Sequence, residues 1–267
     1  MEKQIIGRGL LAGAAAGVLA FLFARIFVEP QIDLAIGYED GIGSAHEAME
    51  SAAGVAAHSH GDGGGGFTRA VQMNIGMGLG VLLFSLAIAA LFAVVFAVTY
   101  GRVGDISARL LSVYVAGGML LSLYIVPFLK YPASPPALSL DETIQQRTLL
   151  YLAMVVLSAA LLIAAVGLGR RLAPKLGTWN ATLAAGGMYI VAVAVVMLIL
   201  PAINETPGPL VDDAGVIVYE GFPADVLYEF RLYTVATQVI IYATIGLVFA
   251  VLASRLLDEK RQDALTR

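Results

Sequence analysis

Cysteine is absent from this chain of 267 residues, and charged residues are scarce. Without cysteine the protein has no disulfide bonds, no thiolate metal ligands and no thiol nucleophile. Only 13% of the residues are Asp, Glu, Lys or Arg, well below the roughly 25% of an ordinary soluble domain. The composition therefore excludes thiol chemistry and points away from a soluble protein.

Several motifs of enzymes and nucleotide-binding proteins are also missing. The sequence contains no G-x-x-x-x-G-K-[ST], no H-E-x-x-H and no G-x-S-x-G, and no Rossmann fingerprint follows a strand. Basic clusters with interleaved aromatic residues are absent too, which argues against nucleic acid as a partner. We therefore expect a protein that is not an enzyme and that holds no permanently bound cofactor.

What the chain has in abundance is apolar sequence, at 59% of all residues and a mean hydropathy of +0.83. Segments this long and apolar must cross a bilayer as helices, since open strands would leave backbone groups unpaired in lipid. The expected fold is an all-α, polytopic integral membrane protein with about six transmembrane helices in one domain, 1–267. The six apolar runs lie at about 6–28, 71–99, 108–129, 148–168, 181–201 and 232–254.

Basic residues predict the orientation of these helices. With six crossings, eleven Lys and Arg lie on the side of the N-terminus and five on the other side. The positive-inside rule then places both termini in the cytoplasm, which in a bacterium makes the protein a multi-pass protein of the cytoplasmic membrane. Fifteen of the twenty acidic residues fall on the opposite side, in the long connections 28–70, 130–147 and 202–231. Acidic residues contribute little to topology, so this second asymmetry calls for a functional explanation.

The sequence also contains an internal echo. "AGGMLLSLYIVPFLKYPA" begins at Ala116 and "AGGMYIVAVAVVMLILPA" at Ala185, and both end in Pro-Ala. The first helix is a weaker third copy, and each returning helix starts near an arginine. One interpretation is three parallel helical-hairpin repeats, an arrangement that transporters often use. The alternative is that small residues and prolines are simply common in membrane helices.

All three histidines lie in or near one glycine-rich segment, 41–66, which we expect to be a flexible extracytoplasmic loop. Imidazoles and carboxylates bind divalent first-row metals, and short His-rich tracts are typical of metal binding. The alternative is a linker with incidental histidines. The candidate metal ligands are His46, Glu47, His58, His60 and Asp62.

A second group of polar residues recurs at the outer ends of the helices. Ionisable groups at membrane depth are costly and are usually paired or functional. Arg25 and Glu29 have i,i+4 spacing and should share a helix face, although arginines at this depth also extend to the interface without a further role. The candidate ion pathway consists of Glu29, Asp33, Asn204 and Glu205. The candidate structural or charge-balancing residues are Arg25, Arg69, Gln72, Arg147 and Arg231.

Five stretches together resemble one known family. They are "LAGAAAGVLAFLFARIFVEPQIDLAIGYED", "FTRAVQMNIG", "KYPASPPALSLDETIQQRTLLYL", "LPAINETP" and "FPADVLYEFRLYTVATQ". In this order they look like the CbtA family of predicted cobalt transporter subunits. The resemblance implies cobalt uptake linked to cobalamin synthesis and a small partner, CbtB, with one membrane helix. It also implies five spans, where this sequence predicts six.

The expected function is therefore uptake of a divalent metal ion, Co²⁺ by the resemblance, as a transporter subunit. In this hypothesis the metal is transported cargo, and the lipid bilayer and a CbtB-type subunit are the partners. The alternative is a non-transporting accessory or scaffold subunit that docks a partner through its polar outer face. The oligomeric state is left open by the sequence.

Overall fold

The computed structural model describes residues 2–52, 68–104, 106–138 and 141–265, and most of these are helical. The helices are α1 (Glu2–Phe23), α2 (Glu29–Ala52), α3 (Arg69–Val71), α4 (Met77–Thr99), α5 (Ala108–Met119), α6 (Val126–Lys130), α7 (Asp141–Ile199) and α8 (Ala224–Leu265). Three π-helical turns, Ala24–Val28, Gln72–Gly76 and Leu120–Ile125, join α1 to α2, α3 to α4 and α5 to α6. A short 3₁₀ turn covers Pro136–Leu138.

Within the described ranges, five helices are long and apolar enough to cross a membrane, which confirms the predicted all-α, polytopic class. They are Lys3–Ala52, Arg69–Thr99, Ala108–Lys130, Glu142–Ile199 and Ala224–Arg255. Many of their large apolar side chains face outward. A water-soluble protein would bury such residues, so this surface suits contact with lipid.

The fourth of these helices, within α7, reverses direction at Gly177. This glycine has φ 76° and ψ 158°, a backbone conformation that strongly favours glycine. The two halves of α7 then pack against each other, with the Ser158 Oγ and Tyr189 hydroxyl oxygens 2.8 Å apart. A Cβ placed on Gly169 would lie 3.3 Å from Ala185 Cβ, so the helices approach closely there. The predicted spans 148–168 and 181–201 therefore lie on opposite sides of one reversal, and six predicted crossings map onto five helices.

The first helix extends much further than the sequence predicts. The sequence predicts a flexible loop over 41–66, whereas the structure has 41–52 as the last part of α2, and 53–66 lie outside the described residues. Pro30 does not end the helix, because a π-helical turn stands directly before it and relaxes the backbone where proline would otherwise clash. A π-helical turn precedes Pro127 in the same way. Beyond Pro30 the sequence supplies Ala, Ile, Met and Glu at enough positions to sustain a helix.

The centre of the bundle is formed by α1, α4, α5 and α8, with α1 between α4 and α8 and α5 against α8. Gly9, Gly13 and Gly17 lie one turn apart on α1 and bring it close to α4. A Cβ on Gly13 would stand 2.5 Å from Ala89 Cβ, closer than real atoms approach. Small residues at this spacing commonly allow membrane helices to pack tightly. The hairpin of α7 packs at the side, against α6 and the π-helical turn before it.

Two short antiparallel strands, β1 (Leu210–Val211) and β2 (Ile217–Tyr219), interrupt the connection from α7 to α8. The hydropathy pattern gives no sign of these strands. Tyr219 packs on Tyr38 of α2, with ring centroids 5.6 Å apart. Together with Ala35, Leu138, Phe222, Val226 and Leu227, Tyr38 forms a separate buried cluster. The extension of α2 therefore packs against the connections between helices and the start of α8 at one end of the bundle.

Candidate ion site at the acidic end

Two glutamates are buried at the end of the bundle that carries the extension of α2 and the connection from α7 to α8, here called the acidic end. Glu29 is 6% exposed and Glu205 is 7% exposed. Burying an ionised carboxylate costs several kcal/mol unless it is paired and hydrogen-bonded. Each glutamate is therefore the centre of a network of polar contacts.

The Glu29 network comprises Arg25, Glu29, Asp33, Arg69 and Asn74. One Glu29 oxygen pairs with Arg69, and the other lies 3.4 Å from an Arg25 nitrogen. Arg69 also lies 3.4 Å from the exposed Asp33 carboxylate, and Arg25 Nε donates to Asn74 Oδ1 over 3.1 Å. The predicted shared face of Arg25 and Glu29 is confirmed. Two arginines face two carboxylates, so the network is balanced in charge.

The Glu205 network comprises Ser134, Thr143, Arg147 and Glu205. One Glu205 oxygen pairs with Arg147, and the other accepts a hydrogen bond from the Thr143 hydroxyl over 2.6 Å. Arg147 also donates to the carbonyl of Pro132 over 2.5 Å and to Ser134 Oγ over 3.2 Å. This one arginine thus ties together the connections before and after α7.

Proline-associated carbonyls at the acidic end are already occupied by protein donors. Proline cannot supply an N–H to the helix, so carbonyls near it are freed for other partners. The Tyr131 hydroxyl donates to the Pro201 carbonyl over 2.8 Å, and Arg231 Nε donates to the Ala133 carbonyl over 3.1 Å. The two echoed segments, 116–133 and 185–202, therefore meet at their ends.

In the described part of the chain, the four predicted pathway residues do not share one set of hydrogen bonds and ion pairs. Glu29 and Asp33 share Arg69, whereas Glu205 belongs to the other network. Asn204 is exposed, and its Oδ1 accepts from the Thr206 N–H over 3.3 Å. Among the described residues there is no group of three His, Asp or Glu side chains arranged to hold a metal ion.

The predicted metal ligands divide between the described and undescribed parts of the chain. His46 and Glu47 are exposed on α2, and His46 Nδ1 lies 3.0 Å from the Ile42 carbonyl. His58, His60 and Asp62 lie outside the described residues. Gln72, predicted to be structural, is exposed in the π-helical turn before α4.

Sequence reasoning missed one polar pair at this end. Gln31 is 8% exposed, and its Nε2 donates to Glu229 Oε2 over 2.7 Å. Gln31 Oε1 is buried and has no hydrogen-bond partner within the described structure. The signal was present in the spacing of Val28, Gln31, Ala35 and Tyr38, all buried on one face of the helix. It could be read only by extending the helix past Pro30.

The acidic end can therefore offer carboxylate and amide oxygens, the ligands preferred by hard and borderline divalent cations. Glu29 and Glu205 already have arginine partners, while no Lys or Arg among the described residues pairs with Glu229. A cation that binds Glu29 or Glu205 therefore has to displace a guanidinium group.

These features define a polytopic helical membrane protein with polar and ion-paired groups gathered at one end. Residues 2–254 match the family described as "Probable cobalt transporter subunit (CbtA)". The chain belongs to this family, which confirms the resemblance seen in the sequence, and the word subunit implies a transporter of more than one component. No curated protein and no solved structure matches the chain.

Proposed function

We propose that the protein takes up a divalent metal ion, Co²⁺, across the bacterial cytoplasmic membrane, with both termini in the cytoplasm. Membership of the CbtA family supports the cargo. The observation that carries the proposal is the burial of Glu29 and Glu205 at one end of a membrane bundle. Carboxylates at this depth are expensive, and they mark ion pathways more often than ordinary packing.

The proposed route has three stages. The acidic connections raise the local concentration of cations by electrostatic attraction. His46, His58 and His60, with Glu47 and Asp62, capture the ion loosely. Glu29, Asp33, Asn204 and Glu205 then replace part of its hydration shell.

Arginine movement is the step that this geometry requires. Arg69 is 33% exposed, and Arg25 and Arg69 both lie against Glu29. Each arginine acts as an internal counter-ion that holds the carboxylate when no metal is bound. The ion takes over this charge when the guanidinium groups turn toward water. Glu229 offers a further carboxylate that needs no such exchange, because it pairs with no Lys or Arg in the described structure.

Uptake of radioactive cobalt by liposomes that contain the purified chain tests this proposal. Glu205→Gln and Glu29→Gln keep the side-chain volume and remove the charge, so each should abolish uptake. Glu39→Gln is the matched control, because Glu39 is exposed on the same helix as Glu29. Uptake by both buried variants at the wild-type rate, with matched incorporation, would overturn the pathway.

A non-transporting accessory role is the second candidate, and the balanced charge of the Glu29 network favours it. A site whose arginines neutralise its acids attracts cations weakly. In that case the polar outer face docks a partner, for which the family suggests a single-helix CbtB-type subunit. Liposomes that hold the chain alone and then with such a subunit separate the two roles. Uptake by the chain alone supports transport by this subunit itself.

Orientation is open to a direct test because the chain has no native cysteine. Ser51 at the end of α2 and Thr178 after the α7 reversal are both exposed. In intact cells, Ser51→Cys should react with an impermeant maleimide and Thr178→Cys should not. The reverse pattern would place both termini outside.

A further inference from the structure

Beside the Glu205 network lies an open cavity of about 380 Å³ between the end of α6 and the start of α7. Its polar lining includes Tyr124, Tyr131, Ser134, Arg147, Thr148 and Tyr151. Phe128 and Ile144 add apolar wall. The volume falls within the range of about 300–1,000 Å³ that is common for small-molecule sites. The lining combines a guanidinium group, hydroxyls and an extended apolar surface.

Basic side chains gather beside this cavity. Arg147 on its wall pairs with Glu205, and Arg231 binds the carbonyl of Ala133, another wall residue. No carboxylate among the described residues pairs with Arg231. Lys130 adds a third cation, with its Nζ 6.0 Å from the ring centroid of Tyr131. Of these three cations, only Arg147 is paired with a carboxylate in the described structure.

Arg231 also has unused hydrogen-bonding capacity. A guanidinium group carries five N–H donors, and within the described structure Arg231 uses its Nε donor alone. The side chain is half-buried, so part of the guanidinium group is shielded from bulk water. A planar cation in this position is suited to a bidentate contact with phosphate.

The depth of the cavity narrows the class of ligand. Arg147 directly precedes the apolar run 148–168, and Lys130 directly follows the run 108–129. Both therefore stand at the boundary between hydrocarbon and headgroups, where tyrosine is also enriched. Basic pockets between membrane helices can bind anionic headgroups.

We propose that this cavity binds a phosphate-bearing anion. The phosphate contacts Arg147 and Arg231, and the apolar part of the anion lies along Tyr124, Tyr131 and Tyr151. An anionic phospholipid supplies both features, and free phosphate supplies the first alone. The inference concerns binding only and does not depend on cobalt transport.

Native mass spectrometry of the full chain in neutral detergent tests the site. The probes are phosphatidylglycerol, phosphatidylcholine with the same acyl chains, and inorganic phosphate. We expect phosphatidylglycerol to bind more tightly than phosphatidylcholine. Arg231→Gln should weaken that binding by about tenfold or more, because it removes a charge-assisted contact. Arg170→Gln, at an exposed site near the α7 reversal, removes the same charge elsewhere and should leave the preference intact.

A second variant protects the test against misfolding of Arg231→Gln. Thr148 is an exposed residue of the cavity wall, and Thr148→Trp should fill the space without changing any charge. It should weaken phosphatidylglycerol binding and spare any binding of inorganic phosphate. Competition by millimolar phosphate that depends on Arg231 would support the site and identify free phosphate as a ligand. Equal binding of both lipids, unchanged in Arg231→Gln and Thr148→Trp, would overturn the proposal.

Discussion

The Glu29 and Glu205 networks both compensate a buried carboxylate, but they differ in the number of arginine partners. Each protects a buried carboxylate at the acidic end, but Glu29 has two arginine partners and Glu205 has one. Arg147, moreover, binds three residues outside α7: Pro132 and Ser134 in the connection before it and Glu205 in the connection after it. We therefore expect the number of arginine partners, rather than burial alone, to decide how much one substitution destabilises such a site.

Loss of Arg147 should have the largest effect. Arg147→Gln leaves Glu205, whose side chain is 3% exposed, without a cationic partner, and removing one member of a buried pair costs about 3–5 kcal/mol. For a protein of this size that lowers the apparent Tm by on the order of 10 °C. Thermal unfolding in detergent measures it. The double variant Arg147→Gln/Glu205→Gln should recover much of the loss, and a double variant no more stable than the single one would contradict the pairing.

Loss of Arg69 should destabilise the protein less than loss of Arg147. In Arg69→Gln, Glu29 keeps Arg25 at 3.4 Å, so the expected cost is about 1–2 kcal/mol, the range of a charge-assisted hydrogen bond. The same unfolding assay applies. The double variant Arg25→Gln/Arg69→Gln should then fall to the level of Arg147→Gln. An effect of Arg69→Gln equal to that of Arg147→Gln would show that redundancy does not protect Glu29.

The pair of Gln31 and Glu229 extends the comparison to a carboxylate with no arginine partner in the described structure. Gln31→Leu removes one hydrogen bond and also removes the buried Oε1 that lacks a partner. The two effects oppose each other, so we expect a change in stability within about 1 kcal/mol. Gln31→Ala is the control, because it leaves a cavity and should be less stable. Severe destabilisation by Gln31→Leu would mean that Gln31 holds Glu229 as firmly as the arginines hold the other acids.

Composition and apolar run length predicted the helices well, because a helix satisfies the backbone hydrogen bonds of an apolar segment within the segment itself. The sequence also placed Arg25 beside Glu29, since i,i+4 spacing is a local property of a helix. Where the first helix ends could not be predicted in this way. A proline such as Pro30 normally predicts the end of a helix. The π-helical turn that accommodates Pro30 cannot be recognised from the hydropathy of the sequence.

Contacts between segments that are distant in sequence could not be predicted either. The partners of Arg147 and Arg231 lie across the bundle, at Glu205, Pro132 and Ala133, and no local pattern assigns them. The sequence predicts a structural or charge-balancing role for Arg231 but assigns it no partner. Glu229, two residues earlier, accepts a hydrogen bond from Gln31, because α2 extends far enough to reach the start of α8.

The smallest expected effect concerns the histidines, which lie outside both networks as far as the structure describes them. Changing His46, His58 and His60 together to Ala should leave the Tm unchanged, since His46 is exposed and makes a contact within its own helix turn. If these residues capture metal, a tethered ligand raises the local concentration of cargo without altering the membrane route. The half-saturating cobalt concentration should then rise several-fold while the maximal uptake rate stays the same.

Replacing Ser44, Ser51 and Ser59 by Ala is the matched control in the same region. A fall in the maximal rate would place the histidines within the route, and an unchanged concentration dependence would make them incidental.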